Sequence, residues 1–351
     1  MGRGLAFICT GMVFIFGIIQ LGISNRHNSE TGINISYANW VQARNVAASG
    51  ADVAIMELVN DKTWNEPLDL QLGGYTANVS VIRPADDPDL GEDQTRIVSV
   101  STIGNRSATV SSLLQERSPL PDIEGAIGIY SEEVDLTFSG AGFTIDGTDG
   151  ETDPSKMKYG IAAGNREVFN VLNDKLSVNQ KNMITGLNGR SSIGQVKDRN
   201  QELIDLITWY REIAQVPGMG NYFDGSVEFT GADNFGTTDS MQVTYVANTM
   251  TIKGNVSGAG ILIAENLDLR GGGGSLNFDG LIIVMGRASI VGNIDIEGAV
   301  LFGGEKPLIY IEAKGSFDIS YNSESLEGIS PYLKSSGVPV DLPLELVSIF
   351  E

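Results

Sequence analysis

The chain has 351 residues, enough for about two average domains with a buried core. Its 44 acidic residues outnumber the 23 basic ones, and the net charge of −21 argues against nucleic acid as a partner and against docking on anionic lipid. A single cysteine, Cys9, and a single histidine, His27, exclude a disulfide framework and a Cys/His metal cluster, because both need several such residues. The composition is therefore typical of a structural or binding protein, and we predict no enzymatic activity and no catalytic residues.

Residues 5–23 form an uncharged, apolar run near the N-terminus. As a helix the run would be about 28 Å long, close to the ~30 Å hydrocarbon core of a bilayer, which favours a retained membrane anchor. The alternative is a secretory signal cleaved near Gly22-Ile23-Ser24, although the run is longer than the usual apolar region of such signals. Both interpretations predict export of the remaining chain, and Arg3 ahead of the run favours an N-terminus on the inner side.

Residues 36–61 predict a second helix, which follows the apolar run. Its small or apolar residues fall on one stripe at helical spacing, namely Ala43, Ala47, Gly50, Ala51, Ala54 and Leu58. The stripe predicts a helix packed on its own domain, and the alternative is partial packing on neighbouring subunits. Thr31-Gly32 predicts a bend between the two helices. Alternating residues at 75–82, 96–103 and 107–114 predict an antiparallel meander, with Gly104-Asn105 as a hairpin turn.

The N-terminal third resembles a known family. Arg3-Gly4-Leu5-Ala6 is similar to the start of PilX-type minor pilins and of the K-type minor pseudopilin of type II secretion. Gln42-Ala43-Arg44, followed by the small residues 47–51, is similar to their small-residue stretch. The resemblance implies a subunit that is stored in the inner membrane and then packs against other pilin-like subunits through its N-terminal helix. Leader cleavage after Gly4 would place Cys9 where pilins usually have a glutamate, and the K-type pseudopilins also lack that glutamate, which favours a minor role.

A repeat marks the C-terminal region. Gly254-Asn255-Val256 recurs 38 residues later as Gly292-Asn293-Ile294, and the apolar residues after Gly260 recur with the same offset after Gly298. Gly280 opens a similar run midway, so the step is about 19 residues, as stacked β-solenoid coils require. The pattern predicts that four side chains point into the coil, namely Ile261, Ile263, Ile283 and Leu301. Residues 133–147 have the same texture and predict a further coil, followed by an insertion with an amphipathic helix near 198–216.

A short acidic turn is the candidate metal site. Asp146, Asp149, Glu151 and Asp153 place four carboxylates within eight residues, and such hard oxygen ligands suit Ca²⁺. Their spacing differs from that of an EF-hand loop, and a solvated acidic turn is the favoured alternative. Ca²⁺ is the one cofactor that the sequence suggests.

Together these patterns predict an α+β fold. A membrane anchor and juxtamembrane segment would occupy residues 1–30, a pilin-like helix and antiparallel meander residues 31–117, and a β-solenoid-like (β-helix) ectodomain residues 118–351. We predict a minor pilin or pseudopilin of a type IV pilus or type II secretion-like filament, held in the inner membrane with an exported ectodomain and then added to a cell-surface filament. The ectodomain would bind a surface or a glycan. The alternative function is a membrane-anchored β-helix protein that binds or cleaves polysaccharide.

Overall fold

The computed structural model describes residues 2–91, 93–116, 119–139, 142–151, 153–269, 274–314, 316–335 and 344–350. Near the N-terminus, the side chains of residues 2–15, 17, 25 and 27–32 lie outside this description. The chain divides into two compact units, one of Met1–Arg117 with Leu342–Glu351 and the other of Ser118–Asp341.

The first unit combines one long helix with an antiparallel sheet. Its elements are α1 (Gly2–Asn60), β1 (Leu68–Leu72), β2 (Tyr75–Ile82), β3 (Gln94–Ile103), β4 (Arg106–Glu116) and β21 (Leu344–Phe350). The strands are ordered β1-β2-β3-β4-β21, and every neighbouring pair is antiparallel. The predicted meander of three strands is confirmed as β2, β3 and β4. Residues 344–350, predicted to be part of the C-terminal ectodomain, pair with β4 instead.

The C-terminal half of α1 packs on this sheet through its small-residue stripe, which confirms the packing predicted from the sequence. Ala43, Ala47 and Ala54 are fully buried. A Cβ added at Gly50 would lie 2.6 Å from Ser99 Oγ, so the helix approaches the sheet as closely as a glycine allows. Thr31-Gly32, where the sequence predicts a bend, does not interrupt the helix, because α1 runs through both residues.

The second unit is built mainly from parallel strands. Its strands are β5 (Gly125–Ile129), β6 (Glu133–Phe138), β7 (Phe143–Asp146), β8 (Tyr159–Ala163), β9 (Ile184–Gly186), β10 (Gly189–Arg190), β11 (Ile193–Gln195), β12 (Gly220–Phe223), β13 (Val227–Phe229), β14 (Ala232–Phe235), β15 (Gln242–Ile252), β16 (Asn255–Leu269), β17 (Ser275–Ile290), β18 (Asn293–Phe302), β19 (Leu308–Ala313) and β20 (Ser316–Ser320). Its helices are α2 (Arg166–Lys175), α3 (Val178–Lys181), α4 (Asn200–Ala214), α5 (Ser323–Glu327) and α6 (Ile329–Ser335).

The strands of this unit stack as coils, and the register of the stack follows the predicted repeat. Gly260 pairs with Gly280, and Gly280 pairs with Gly298. All three glycines have positive φ, between 118° and 142°, which L-residues with a side chain rarely adopt. The 38-residue offset and its midpoint at Gly280 are therefore confirmed as successive layers of one stack.

The order of the layers differs from the order of the chain. One face of the stack runs β12-β15-β16-β17-β18-β5-β8-β11, so the segment that begins at β5 continues the stack beyond the later strand β18. The same two segments of the chain also meet where β20 pairs with β7, and there the Phe143 and Phe317 rings stack with centroids 4.9 Å apart. Helix α4 then follows β11 at one end of the face and precedes β12 at the other end. It is therefore the connection that returns the chain along the stack.

The predicted orientation of the apolar strand residues is wrong. All four predicted side chains are fully buried, and Ile263, Ile283 and Leu301 occupy successive layers. However, Ile261, Ile263, Ile283 and Leu301 all lie outside the apolar cluster that fills the coil. Their neighbours Leu262 and Ile282 belong to that cluster. Because side chains alternate along a strand, the predicted set lies on the outer face. Buried side chains of α4 pack on that side of the stack, where the helix contacts β15 and β12.

The predicted α+β, helix-led pilin fold is also wrong as a class. By the bounds given above, the strands contain clearly more residues than the helices, so the molecule is mainly β. The strand residues outnumber those of the N-terminal helix, and most of them belong to the layered strands of the second unit. Within the described part of the chain, no helix has a run long and apolar enough to cross a membrane. Most side chains of the predicted anchor at 5–23 lie outside the described residues.

Candidate functional site

Helix α1 exposes a concentrated set of large apolar side chains ahead of the sheet. Phe16, Ile18, Ile19, Leu21 and Ile23 are each at least 50% exposed. Single exposed apolar residues are common on protein surfaces, but a contiguous apolar patch marks a site of interaction.

A second set of exposed apolar side chains lies further along the helix, close to the sheet. Ile33, Ile35 and Tyr37 are more than half exposed, and the Tyr37 and Trp40 rings lie 6.1 Å apart. Ser36 contacts the sheet, where it accepts a hydrogen bond from Arg106 Nε. The protein's own sheet thus does not cover these exposed side chains of α1. From Ala43 onward, by contrast, one side of the helix is buried.

The four carboxylates of the predicted calcium site have protein partners of their own. Asp146 accepts hydrogen bonds from the Thr148 backbone amide and hydroxyl and, at 2.9 Å, from the Thr185 hydroxyl. Asp149, in a left-handed conformation, accepts from the backbone amide and hydroxyl of Ser323.

The other two carboxylates bond within the loop. Glu151 forms an ion pair with Lys156 at 3.1 Å, and Asp153 accepts from the Ser155 amide. Hydrogen bonds from Ser155 hold the pKa of Asp153 below its usual value. Among the described residues, no group of three or more His, Cys, Asp or Glu side chains is placed to hold a metal ion. Calcium binding at this turn remains a prediction.

A pocket between α4 and the coil stack was not foreseen from the sequence. It has a volume of about 320 Å³, and we call it the α4 pocket. Its lining residues are Ile204, Ile207, Thr208 and Arg211 from the helix and Tyr245, Ala247, Glu265, Met285, Gly304, Glu305 and Lys306 from the stack. Among the stack residues, Ala247, Glu265 and Met285 lie at corners, where the register shifts between Val246 and Thr249 and between Ala264 and Asn266. Such bulges turn a side chain out of the regular ladder.

Arg211 is held at this pocket by aromatic rings. Its Cζ lies 5.8 Å from the Tyr222 ring centroid and 5.9 Å from that of Tyr245, within the range of cation–π attraction. The two rings are stacked at 5.7 Å, and Arg211 Nη2 donates to Tyr222 Oη at 3.3 Å. That hydrogen bond and the nearby Tyr222 and Tyr245 rings raise the pKa of Arg211, so the guanidinium stays charged. Across the pocket, Lys306 forms an ion pair with Glu265.

A second charged cluster fixes the start of α4. Arg199 forms ion pairs with Glu202 at 3.2 Å and Glu124 at 3.6 Å, and also with Asp122. Burial lowers the pKa of Arg199, but the three carboxylates outweigh this effect and raise it overall. Next to the cluster, burial raises the pKa of Tyr130 well above its usual value. The cluster anchors the N-terminal end of the helix that covers the α4 pocket.

The sequence contained one signal for the pocket. Ala247, Glu265, Met285 and Glu305 recur at steps of 18 to 20 residues, close to the period of the glycine repeat. The repeat would therefore place them at corresponding corners of successive coils. It gives no indication that α4 packs above them, and Arg211 lies outside the repeat.

Comparisons with known proteins add little. No protein-family profile matches the chain, and no curated protein is significantly similar to it in sequence. Among solved structures, the competence-associated pilin ComZ from Thermus thermophilus is distantly similar, with 11% sequence identity. The alignment covers 89% of this chain and 97% of that chain, with a TM-score of 0.20. A score this low does not indicate a shared fold.

Proposed function

We propose that this protein is a structural subunit of a pilin-like filament and that the exposed apolar part of α1 packs against the same helix of neighbouring subunits. The observation that carries the proposal is the run from Phe16 to Ile23, where five large apolar side chains are exposed together. Burying these five side chains and the exposed Ile33, Ile35 and Tyr37 against another subunit would contribute on the order of 10 kcal/mol.

The shape of α1 is compatible with helix-to-helix packing. A Cβ added at Gly22 would meet no atom within 4 Å, so a neighbouring backbone could approach there. Within the described side chains from Phe16 to Ser24 there is no charge, and Arg26 is the first ionic side chain after them. Small residues beside large apolar ones are typical of closely packed helix pairs.

The proposal retains the finer expectations from the sequence. The subunit would be a minor pilin or pseudopilin of the PilX or K type, its body would be exported, and its role would be non-enzymatic. Protease added to spheroplasts should then digest residues beyond about 30, as the charge pattern of the chain predicts. Complete protection of the body would contradict export.

The filament role is tested by a charge placed in the apolar run. Leu21→Glu should abolish sedimentable, detergent-free filaments, because a carboxylate without a partner is costly to bury between helices. The matched control is Gln42→Glu, which adds the same charge to the same helix. Gln42 is exposed and lies in the part of the helix that packs on the sheet. The control should assemble like the wild type.

The melting temperature of the first unit provides the check on folding. Leu21 is 65% exposed, so Leu21→Glu should leave that temperature unchanged. If Leu21→Glu and the wild type sediment alike, the helix is not the assembly surface and the proposal fails.

A further inference from the structure

The α4 pocket has the size and composition of a ligand site, and the filament proposal does not use it. Its volume of about 320 Å³ lies at the lower end of the range for small-molecule pockets. Ile204 and Ile207 of α4 and Met285 of the stack provide apolar surface, while charged groups converge from both sides. An apolar surface with a few convergent polar groups is the usual construction of a small-molecule site.

Arg211 provides an anion-binding group. Its described hydrogen bond goes to the phenol of Tyr222 rather than to a carboxylate, and a guanidinium has five N–H donors in a planar fork. The stacked Tyr222 and Tyr245 rings hold one side of the guanidinium, which limits the entropy lost when a ligand binds. A carboxylate matches the geometry of the fork, and few surfaces of a chain with net charge −21 would attract one.

The remaining polar groups select against a strongly charged ligand. Glu265 and Glu305 line the same pocket, and they would repel a phosphate that carries nearly two negative charges. They are good acceptors for hydroxyl groups, and Lys306 is an additional donor. The ligand should therefore carry one carboxylate, several hydroxyls and an apolar face.

We propose that the α4 pocket binds an acidic sugar, with the carboxylate on Arg211, hydroxyls on Glu265, Glu305 and Lys306, and the C–H face of the ring on the apolar surface. This inference does not depend on the filament role, because the pocket lies wholly within the coil stack and α4. Loss of sugar binding would leave the assembly proposal intact, and loss of assembly would leave sugar binding intact.

The test compares sugars that differ only at the acidic group. Galacturonate and galactose, and glucuronate and glucose, are titrated into the full chain in mild detergent, and binding is measured by calorimetry. A charge-assisted hydrogen bond to Arg211 should make each acidic sugar bind roughly 10- to 100-fold more tightly than its neutral partner.

Two variants and one control connect the preference to the pocket. Arg211→Gln removes the charge and should abolish the preference, whereas Arg190→Gln removes an exposed arginine from β10 and should preserve it. Thr208→Tyr, at an exposed position on the pocket wall, should block all four sugars without changing Arg211.

Three results would overturn the proposal. The first is that neither acidic sugar binds the wild type more tightly than its neutral partner. The second is that Arg211→Gln prefers the acidic sugars as strongly as the control Arg190→Gln does. The third is that Thr208→Tyr binds like the wild type, and this result remains decisive if Arg211→Gln does not fold.

Discussion

The glycine ladder of the coil stack allows a quantitative prediction for Gly280→Ala. Gly280 has φ of +131°, and a Cβ built on it would lie 2.2 Å from the carbonyl oxygen of Gly260 in the adjacent layer. A real Cβ needs more than 3 Å, so the layers would have to separate locally by about 1 Å or the backbone would have to rotate. The unfavourable φ costs about 1–3 kcal/mol, and the overpacking adds a similar amount. We expect a loss of about 4 kcal/mol in the free energy of unfolding.

The effect is measurable as a thermal shift. For a unit of this size, about 4 kcal/mol corresponds to a fall of roughly 10 °C in the melting temperature followed by circular dichroism. The matched control is Gly225→Ala, because a Cβ there meets no atom within 4 Å and its φ lies outside the left-handed region. It should change stability by about 0.5 kcal/mol at most. Equal shifts for the two variants would refute the close approach of the layers at Gly280.

Three further predictions concern the same unit. Ile283→Asp should destabilise the stack by about 4 kcal/mol, because it buries an unpaired charge under α4. The control Glu297→Asp, at an exposed position, should leave the melting temperature unchanged. An unchanged melting temperature for Ile283→Asp would contradict this packing. Burial and the charge of Asp295 raise the pKa of Asp279 above 3.8. The folded state therefore binds the proton of Asp279 more tightly than the unfolded state does. As a result, the free energy of unfolding falls as the pH rises from about 4 through the raised pKa. Asp279→Asn should therefore raise the melting temperature at pH 7 but not at pH 3, and an equal gain at both pH values would argue against this assignment. If the acidic turn at 146–153 binds calcium, adding calcium to the EDTA-treated protein should raise its melting temperature, because a ligand that binds only the folded state stabilises that state. An unchanged melting temperature would leave the turn as a solvated, internally bonded loop.

The sequence by itself determined the local structure in several places. The alternation at 75–82, 96–103 and 107–114 predicted β2, β3 and β4, and the small residues around Gly50 predicted the packed face of α1. The glycine spacing predicted which layers pair, because only glycine fits where a positive φ coincides with a neighbouring carbonyl. These features depend on near neighbours along the chain or on one repeated backbone position, and both leave a pattern in the sequence.

The tertiary structure decided what covers each face. The runs after Gly260 and Gly280 are apolar on consecutive residues, as expected for parallel strands buried on both faces, so the pattern could not tell the coil interior from the surface under α4. Ile283 is therefore buried, as predicted, but on the outer face of the stack rather than inside the coil. Likewise, the position of β5 beyond β18, the pairing of β21 with β4 and the placement of Arg211 beside Tyr245 all join segments far apart in the chain. Such contacts form only when complementary surfaces meet in three dimensions, and no period or local preference in the sequence records which surfaces meet.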